Sequence, residues 1–314
     1  MRVVELAGGV GGAKLADGLA AHLGADLTVV VNSGDDLELY GLEIWPDHDT
    51  VLYTLASLDD EERGWGLRDE TWTVMDGLRT LGETPWFNLG DRDLATHLFR
   101  TERRRAGARA TSVALALRER LGIAPTVLPM ADEPVRTEVR SDEGWLDFQE
   151  YFVHRHGVPD VHEVRFRGIE AAHLSPEAAA AIDAAQAVVI APSNPIVSIG
   201  PILALPGTRE AVAAARGRGV PVVAMSGIVG GVALKGPADR MLRSLGHDVS
   251  AVGVARLYAD LVDVFVVDRV DASSVPAIEA LGMRAVAMDT LMTDDAARAR
   301  IAGALLDVVR AVPA

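Results

Sequence analysis

The stretch that decides the fold of this chain is Met1-Arg-Val-Val-Glu-Leu-Ala-Gly-Gly-Val-Gly-Gly-Ala-Lys14. Its first half is an apolar run that predicts a buried strand, Arg2–Leu6. Its second half predicts a glycine-rich turn followed by a helix, Gly12–Leu23. Such a turn presents backbone N–H groups and the positive end of a helix to an anion. The sequence therefore predicts an α/β fold that begins with a phosphate-binding turn.

The remainder of the chain alternates between strand and helix patterns. Apolar runs bounded by turns predict further buried strands at Leu27–Val31, Ala187–Ala191, Val220–Met225, Val264–Val267 and Arg284–Ala287. Helical patterns lie between them at Arg92–Leu121, Pro176–Ala185, Thr208–Arg218, Pro237–Leu245, Val254–Ala259, Val275–Leu281 and Asp294–Val309. We expect an α/β protein with a Rossmann-like, doubly wound, mainly parallel sheet.

One segment, around residues 126–166, departs from this alternation. Val135–Val139 and Trp145–Phe152 flank the turn Ser141-Asp-Glu-Gly144, a pattern that indicates an antiparallel hairpin. We expect a smaller, hairpin-containing insertion that covers the site, within a single domain spanning residues 1–314.

The composition excludes several function classes. The chain has 314 residues, a net charge of -15 and no cysteine. The negative charge argues against nucleic acid or an anionic membrane as the main partner. Without cysteine there is no disulfide, thiolate zinc site or cysteine nucleophile. No apolar run reaches ~18 residues and no leader pattern is visible, so we expect a cytoplasmic protein. Its assembly is left open, with a homodimer as one expectation.

Four carboxylates lie within two short segments, Val31-Asn-Ser-Gly-Asp-Asp36 and Pro46-Asp-His-Asp-Thr50. Asp35 and Asp36 follow the second predicted strand at its carboxyl end, where open α/β sheets place their ligands. Asp47 and Asp49 are expected in a turn after Pro46. Such a group suits a hard divalent cation or a proton-transfer site. Ordinary turn chemistry is the alternative explanation.

The glycine-rich turn matches neither common nucleotide-binding motif. The spacing of Gly8, Gly9, Gly11 and Gly12 differs from the dinucleotide fingerprint, and the turn lacks the Gly-Lys-Ser/Thr of a P-loop. These glycines still allow close backbone approach to a phosphate, and Lys14 can direct a cation towards it. A close-packed strand–helix turn without a ligand, with a solvated Lys14, is the alternative.

Two later segments gather polar groups. Around the helix start in Leu89-Gly-Asp-Arg-Asp-Leu-Ala-Thr-His97, Arg92 can orient a phosphate or a heterocycle, while Asp91 or Asp93 can instead cap the helix. In Pro192-Ser-Asn-Pro195, Ser193 and Asn194 offer donors to a phosphate or a base. A proline-shaped loop explains the second segment equally well.

These segments, in this order, resemble the 2-phospho-L-lactate transferase and phosphoenolpyruvate transferase family of coenzyme F420 biosynthesis. One departure is Gly227, where the family pattern suggests proline. The resemblance spans nearly the whole chain and rests on Gly8–Ala13, Asn32–Asp36, Pro46–Thr50, Arg63–Trp72, Leu89–His97, Leu128–Arg136, Phe148–Phe152, Pro192–Pro201 and Leu234–Asp239.

The resemblance implies a magnesium-dependent transfer of a substituted phosphate group. The donor is a guanosine diphosphate-linked three-carbon acid, and the acceptor is the ribityl hydroxyl of the deazaflavin Fo. GMP leaves, and the product is dehydro coenzyme F420-0 or F420-0, according to whether the group is phosphoenolpyruvyl or 2-phospho-L-lactyl. We favour phosphoenolpyruvyl because the Arg- and Ala-rich composition suggests a GC-rich bacterium, and bacterial relatives often use it.

The resemblance also implies roles for particular residues. Asp49, Thr50, Asn88 and Arg92 lie near the deazaflavin, and Asp35, Asp36 and Asp49 serve Mg²⁺. Asp49, Asp36 and Arg92 are the catalytic candidates, with Asp49 either metal ligand or base. The nucleotide is held by Gly8, Gly9, Gly11, Gly12, Lys14, Ser193 and Asn194. Competing hypotheses are a non-catalytic nucleotide-sugar-binding regulator of the same fold and a nicotinamide-dependent oxidoreductase.

Overall fold

A parallel sheet of seven strands forms the centre of the computed structural model, which describes residues 1–312. The strands in this part of the chain are β1 (Val3–Ala7), β2 (Leu27–Val31), β3 (Leu37–Leu39), β4 (Leu42–Ile44), β5 (Thr126–Pro129), β6 (Arg136–Ser141), β7 (Gly144–Asp147), β8 (Glu163–Arg167), β9 (Ala187–Ile190), β10 (Val222–Met225), β11 (Ile228–Val229), β12 (Val232–Ala233), β13 (Val264–Asp268) and β14 (Arg284–Met288).

The α-helices of the same residues pack around this sheet. They are α1 (Gly9–Leu23), α2 (Pro46–Leu55), α3 (Thr73–Thr80), α4 (Asp93–Arg105), α5 (Ala110–Arg120), α6 (Pro176–Asp183), α7 (Ile199–Ala204), α8 (Thr208–Gly217), α9 (Ala238–Ser244), α10 (Ala251–Tyr258), α11 (Val275–Glu279) and α12 (Asp295–Arg310). No helix within residues 1–312 combines the length and apolar character needed to cross a bilayer.

The sheet has the strand order β14-β13-β10-β9-β1-β2-β5, with every neighbouring pair parallel. Its strands are largely apolar on both faces because helices cover both sides, with the buried Glu5 of β1 as an exception. The expected doubly wound fold is therefore confirmed. The order of the strands reverses between β1 and β9, and in open α/β sheets ligands bind in the crevice outside the carboxyl ends at such a point.

The expected hairpin is present, although its surroundings differ from the prediction. Strands β6 and β7 pair antiparallel through the predicted turn, and β8 completes a separate three-stranded sheet. Thr126–Pro129 instead pairs with β2 at the edge of the central sheet, so the additional segment starts after Pro129. The second hairpin strand ends at Asp147, and a π-helical turn, Glu150–His154, follows it.

Several helices differ from the prediction, and the differences at α1, α2 and α4–α5 bear on the site. Helix α1 begins at Gly9, so most of the predicted glycine turn is its first turn. The predicted helix Arg92–Leu121 is two helices, α4 and α5, separated near Gly107, whose φ of +88° is incompatible with a continuing helix. Pro46 begins helix α2 where a turn was expected. Proline is well suited to the first helical position because its missing N–H has no intrahelical partner there.

Candidate active site at the switch point of the sheet

The loops after β1, β2 and β9 meet at the point where the strand order reverses. The Gly8 N–H group donates to the Ser193 hydroxyl oxygen over 3.2 Å, and the same hydroxyl donates to the Gly8 carbonyl over 2.7 Å. These bonds connect the loop after β1 to the loop after β9. Ser193 is therefore committed to holding two segments of the candidate site together.

Close packing accounts for two of the glycines in the predicted nucleotide-binding group. A Cβ at Gly11 would lie 2.4 Å from the Pro192 carbonyl oxygen. A Cβ at Gly8 would lie 2.6 Å from Asp47 Oδ2 and 2.7 Å from Ser198 Cβ. Both positions exclude a side chain because the first turn of α1 presses against the loop after β9 and the start of α2. The same packing brings the backbone of the turn next to the acidic residues.

The remaining members of that group occupy neighbouring positions. Gly9 begins α1 with a φ of +62°, and Gly12 is buried against β1. The Lys14 ammonium group donates to the Met292 carbonyl over 3.0 Å. The Asn194 side-chain oxygen accepts from the backbone N–H groups of Ile196 and Val197, so it shapes its own loop.

Asn32, which sequence reasoning did not single out, connects the acidic segments. Its side chain is fully buried, and its amide donates to Asp47 Oδ2 over 2.9 Å and to the Val197 carbonyl over 3.2 Å. Its oxygen accepts from the Gly34 N–H group over 2.8 Å. The signal was a polar residue directly after the apolar strand Leu27–Val31, at a carboxyl end where ligands bind.

The four predicted carboxylates are all buried, at 5% to 9% exposure. Burial raises the pKa of Asp47 to about 6 and that of Asp35 and Asp36 well above the ordinary range. Oδ1 of Asp35, Oδ1 of Asp36 and Oδ2 of Asp49 have no hydrogen-bond partner among residues 1–312. Buried polar groups are normally satisfied, so these three oxygens are the ones that remain available to a ligand.

Asp49 belongs to a buried network on helices α2 and α4. Its Oδ1 accepts from the Arg100 guanidinium, which also donates to His97 Nδ1 over 3.2 Å. His97 Nε2 lies 3.2 Å from Asp93 Oδ2, and Asp93 Oδ1 accepts from the Tyr53 hydroxyl. Burial raises the pKa of Asp49, and the Arg100 charge partly offsets that effect.

The metal-binding geometry of this network differs from the predicted ligand set. Within residues 1–312, Asp49, Asp93 and His97 form a group whose candidate ligand atoms all lie within 4.8 Å of one another. Of the predicted ligands Asp35, Asp36 and Asp49, only Asp49 belongs to it. His97 and Arg100 lie four and seven residues after Asp93, and this helical spacing is the signal that would have placed the three on one face.

The predicted deazaflavin-binding residues lie around the edge of this network. The Thr50 side chain donates to the Pro46 carbonyl over 2.7 Å and lines a small cavity. Arg92 is exposed and donates to the Arg68 carbonyl over 2.6 Å. Asn88 is also exposed, and its oxygen accepts from Arg79 over 3.3 Å. The structure thus places Asn88 and Arg92 on the surface near α4, apart from the buried carboxylates.

Asp91 has a capping role at a helix other than the predicted one. Its carboxylate accepts from the backbone N–H groups of Thr73 and Val74, over 2.8 and 3.0 Å, at the start of α3. Of the two candidate caps for the helix that is now α4, Asp91 caps α3 instead.

Comparison with known proteins agrees with this architecture. A phosphoenolpyruvate transferase from Kitasatospora aureofaciens is 44% identical over 99% of both chains, and a 2-phospho-L-lactate transferase from Methanosarcina mazei is 41% identical over 93% of this chain and 95% of its own. The crystal structure of a UPF0052 family protein from Bacillus halodurans covers 97% of this chain and 98% of its own, with a TM-score of 0.66 at 15% identity, and shows the shared fold.

The family model described as 2-phospho-L-lactate transferase CofD matches residues 3–305. The match covers the central sheet, the loops at its switch point and the α2–α4 network. It confirms the resemblance drawn from the sequence motifs: this chain belongs to the 2-phospho-L-lactate transferase CofD family.

Proposed function

We propose that this chain transfers a phosphoenolpyruvyl group from a guanosine diphosphate-linked donor to the ribityl hydroxyl of the deazaflavin Fo. The hydroxyl oxygen attacks the phosphorus atom that carries the three-carbon acid. A P–O bond forms to the ribityl oxygen, the P–O bond to GMP breaks, and a carboxylate accepts the hydroxyl proton. The product is dehydro coenzyme F420-0, and this reaction is a step of coenzyme F420 biosynthesis.

The observation that carries the proposal is the group of buried carboxylates at the switch point. Asp35, Asp36 and Asp49 each have one oxygen without a partner among the described residues. Carboxylate oxygens are the ligands that Mg²⁺ prefers, so the chemistry of these residues suits the ion that a diphosphate donor requires. Within residues 1–312, however, their oxygens do not converge as the ligand atoms of Asp49, Asp93 and His97 do. Bound Mg²⁺ would neutralise charge on the phosphate oxygens. The buried group formed by Asp49, Asp93 and His97 offers an alternative position, with a nitrogen ligand that suits Mg²⁺ less well.

The protein's own residues have separate parts in this proposal. Asp49 is proposed as either a ligand of the ion or the base, because one of its oxygens is unpartnered while Arg100 holds the other. Asp36 lies close enough to interact electrostatically with Asp49, and it would carry its negative charge once Mg²⁺ is bound. The turn Gly8–Gly12 is proposed to hold the nucleotide, with Lys14 on the same helix and with Ser193 and Asn194 shaping the neighbouring loop. In-line attack at phosphorus depends mainly on positioning and charge neutralisation, which a rigid, buried group of this kind supplies.

Thr50, Asn88 and Arg92 remain the proposed contacts to the deazaflavin. The exposed positions of Asn88 and Arg92 support binding of a large heterocycle at the surface, with its ribityl chain directed towards Asp49. The Arg92 guanidinium now donates to the Arg68 carbonyl. If substrate binding breaks that hydrogen bond, the guanidinium can donate to the polar edge of the deazaflavin ring or to a phosphate oxygen of the donor.

The preference for the enolpyruvyl donor has support from relatives. Three proteins named phosphoenolpyruvate transferase, from Kitasatospora aureofaciens, Streptomyces griseus and Streptomyces coelicolor, match 99–100% of this chain at 42–44% identity. The Methanosarcina mazei protein named 2-phospho-L-lactate transferase matches 93% at 41%. The small difference in identity makes the donor a question for direct assay.

The deciding experiment supplies the purified protein with Fo, Mg²⁺ and equal amounts of the enolpyruvyl and lactyl donors. We expect mass spectrometry to detect dehydro coenzyme F420-0 with release of GMP, and we expect a chelator to stop the reaction. Formation of the lactyl product alone would reverse the donor assignment. If neither product forms but the protein binds nucleotide sugars, the non-catalytic regulator is favoured instead.

The cytoplasmic location and the homodimer remain predictions.

A further inference from the structure

A small cavity between α1, α2 and α12 contains the only two lysines of the chain. Lys14 reaches it from α1 and Thr50 from α2, while Lys235, from the segment between β12 and α9, and Trp65 contribute from the surface side. Arg298 of α12 forms part of its wall. The cavity lies along α2 from Asp49, next to the α2–α4 network.

Neither lysine is neutralised by a carboxylate. Within residues 1–312, no carboxylate oxygen lies within 4.0 Å of Lys14 Nζ or Lys235 Nζ, although the chain has 45 acidic residues. The half-buried Lys14 has a protein hydrogen bond to the Met292 carbonyl, and Lys235 Nζ lies against Gly64, 2.6 Å from where a Cβ would stand. The Arg298 guanidinium, by contrast, is committed to Asp17, Glu61 and Asp295.

Partial burial and neighbouring positive charges both disfavour the charged form of Lys14. Burial lowers the pKa of Lys14, and the Arg298 and Lys235 charges lower it further. An anion placed between the two ammonium groups would relieve both effects. The Arg298 charge is already met by its three carboxylate partners, so the two lysine ammonium groups are the cations of the lining without an ion-pair partner among the described residues.

Size and charge restrict what this cavity can hold. Its volume is about 80 Å³, far below the ~300 Å³ at which pockets begin to hold drug-sized ligands. Guanine and the deazaflavin ring system are therefore too large. The carboxylates of Asp59 and Glu61 in the same lining disfavour a diphosphate, which carries at least two negative charges, more strongly than a singly charged carboxylate.

We propose that Lys14 and Lys235 form the subsite for the carboxylate of the donor's three-carbon acid. This inference rests on the proposed function and deepens it, because it assigns Lys14 to the acid rather than to the nucleotide. Both lysines act as specificity-determining residues: they distinguish the acid-bearing donor from GDP, which has no carboxylate. Thr50 follows Asp49 directly on α2, and Val10 of the glycine turn also lines the cavity, so two segments of the candidate site reach this subsite.

The test is calorimetric binding of two probes, the guanosine diphosphate-linked enolpyruvate donor and GDP, to the full chain. The variants are Lys14→Gln and Lys235→Gln, because glutamine keeps a hydrogen-bond donor and removes the charge. Arg310→Gln, at the exposed end of α12, is the control with the same charge change. Thermal melting checks that each variant is folded.

We expect Lys14→Gln to weaken donor binding by roughly tenfold to a hundredfold, because it removes a charge-assisted contact. Lys235 is more exposed, so we expect Lys235→Gln to weaken donor binding by about tenfold. GDP binding should change by less than about twofold in all variants. An equal loss for donor and GDP would overturn the carboxylate assignment in favour of a diphosphate contact. Unchanged binding of both probes would remove the subsite. Wild-type protein that binds neither probe would instead contradict the proposed function itself.

Discussion

Arg100 and Asp49 form an ion pair that is almost completely removed from solvent. The Arg100 side chain is 0% exposed and that of Asp49 is 7% exposed. The same guanidinium donates to the Glu43 carbonyl over 3.1 Å and lies 4.4 Å above the Trp45 ring. These contacts hold one Asp49 oxygen in place and leave the other without a partner. The pair therefore fixes the direction in which Asp49 presents its free oxygen.

Replacement of Arg100 by methionine should destabilise the protein substantially. Removing one member of a buried ion pair leaves an unpaired buried charge and typically costs about 3–5 kcal/mol. We expect a large decrease in melting temperature for Arg100→Met and a small change for Arg105→Met. Arg105 is an exposed residue of the same helix. Equal melting temperatures for the two variants would show that the buried ion pair contributes no more to stability than an exposed arginine does.

The Asp36→Asn variant should lose activity while keeping its stability. Burial already raises the pKa of Asp36 well above the ordinary range, so a neutral amide costs the fold little. If Asp36 serves Mg²⁺ and the transition state, its loss should add about 2.7–4 kcal/mol to the barrier, roughly a hundred- to thousandfold in rate.

Initial rates with titrated Mg²⁺, together with thermal melting, check this prediction. Asp307→Asn, on the exposed side of α12, provides the matched control. If Asp36→Asn turns over at near wild-type rates with saturating substrates, this aspartate has no part in the mechanism.

The sequence predicted the central sheet well because buried parallel strands are continuous apolar runs. The exception is β5, whose four residues end in Pro129. Proline lacks a donor and is tolerated at a sheet edge, where β5 lies beside β2. A short run with a terminal proline gives a weak strand signal. Its position at the edge of the sheet depends on its pairing with β2, which brings Val31 opposite Pro129, and local sequence pattern does not reveal such pairing.

The candidate site was predicted in part. Asp35 and Asp36 are buried after β2, at the expected carboxyl end of the sheet. Asp49, expected in a turn after Pro46, is buried in helix α2 instead. Helix α2 was missed because Pro46 and Asp47 are also common turn residues, and burial of Val51 and Leu52 decides in favour of a helix. Arg100 was missed because composition gives no means of knowing which arginine is buried.

Gly11→Ala should destabilise the junction between α1 and the loop after β9. The new Cβ would approach the Pro192 carbonyl oxygen to 2.4 Å, and the backbone must move to relieve that contact. Such overpacking typically costs about 1–3 kcal/mol. Gly77→Ala is the control because a Cβ there meets nothing within 4 Å in helix α3, and it should stabilise by up to about 1 kcal/mol. Denaturant unfolding of both variants measures the difference, and a neutral Gly11→Ala would contradict the tight packing.

Asp47 should make stability depend on pH near 6. Its pKa in the folded protein is about 6, against an ordinary value of 3.8, because burial disfavours its charged form. A raised pKa means that the stabilising contribution is complete below pH ~4 and is lost as the pH rises through 6. The full shift corresponds to at most about 3 kcal/mol. Buried His48, with its pKa lowered to about 3, acts in the opposite direction and is destabilising below pH ~6.5.

Comparison of wild type with Asp47→Asn isolates the aspartate, because both proteins retain His48. Asparagine cannot ionise, and its side-chain oxygen can still accept from Asn32. Between pH 5 and pH 7.5, wild type should lose about 1 kcal/mol of unfolding free energy relative to the variant. Urea unfolding at half-unit pH steps, without divalent cations, measures this difference. Parallel stability curves for the two proteins would show that Asp47 titrates at its ordinary value. Added Mg²⁺ should reduce the difference at neutral pH, since a bound cation stabilises the ionised carboxylates.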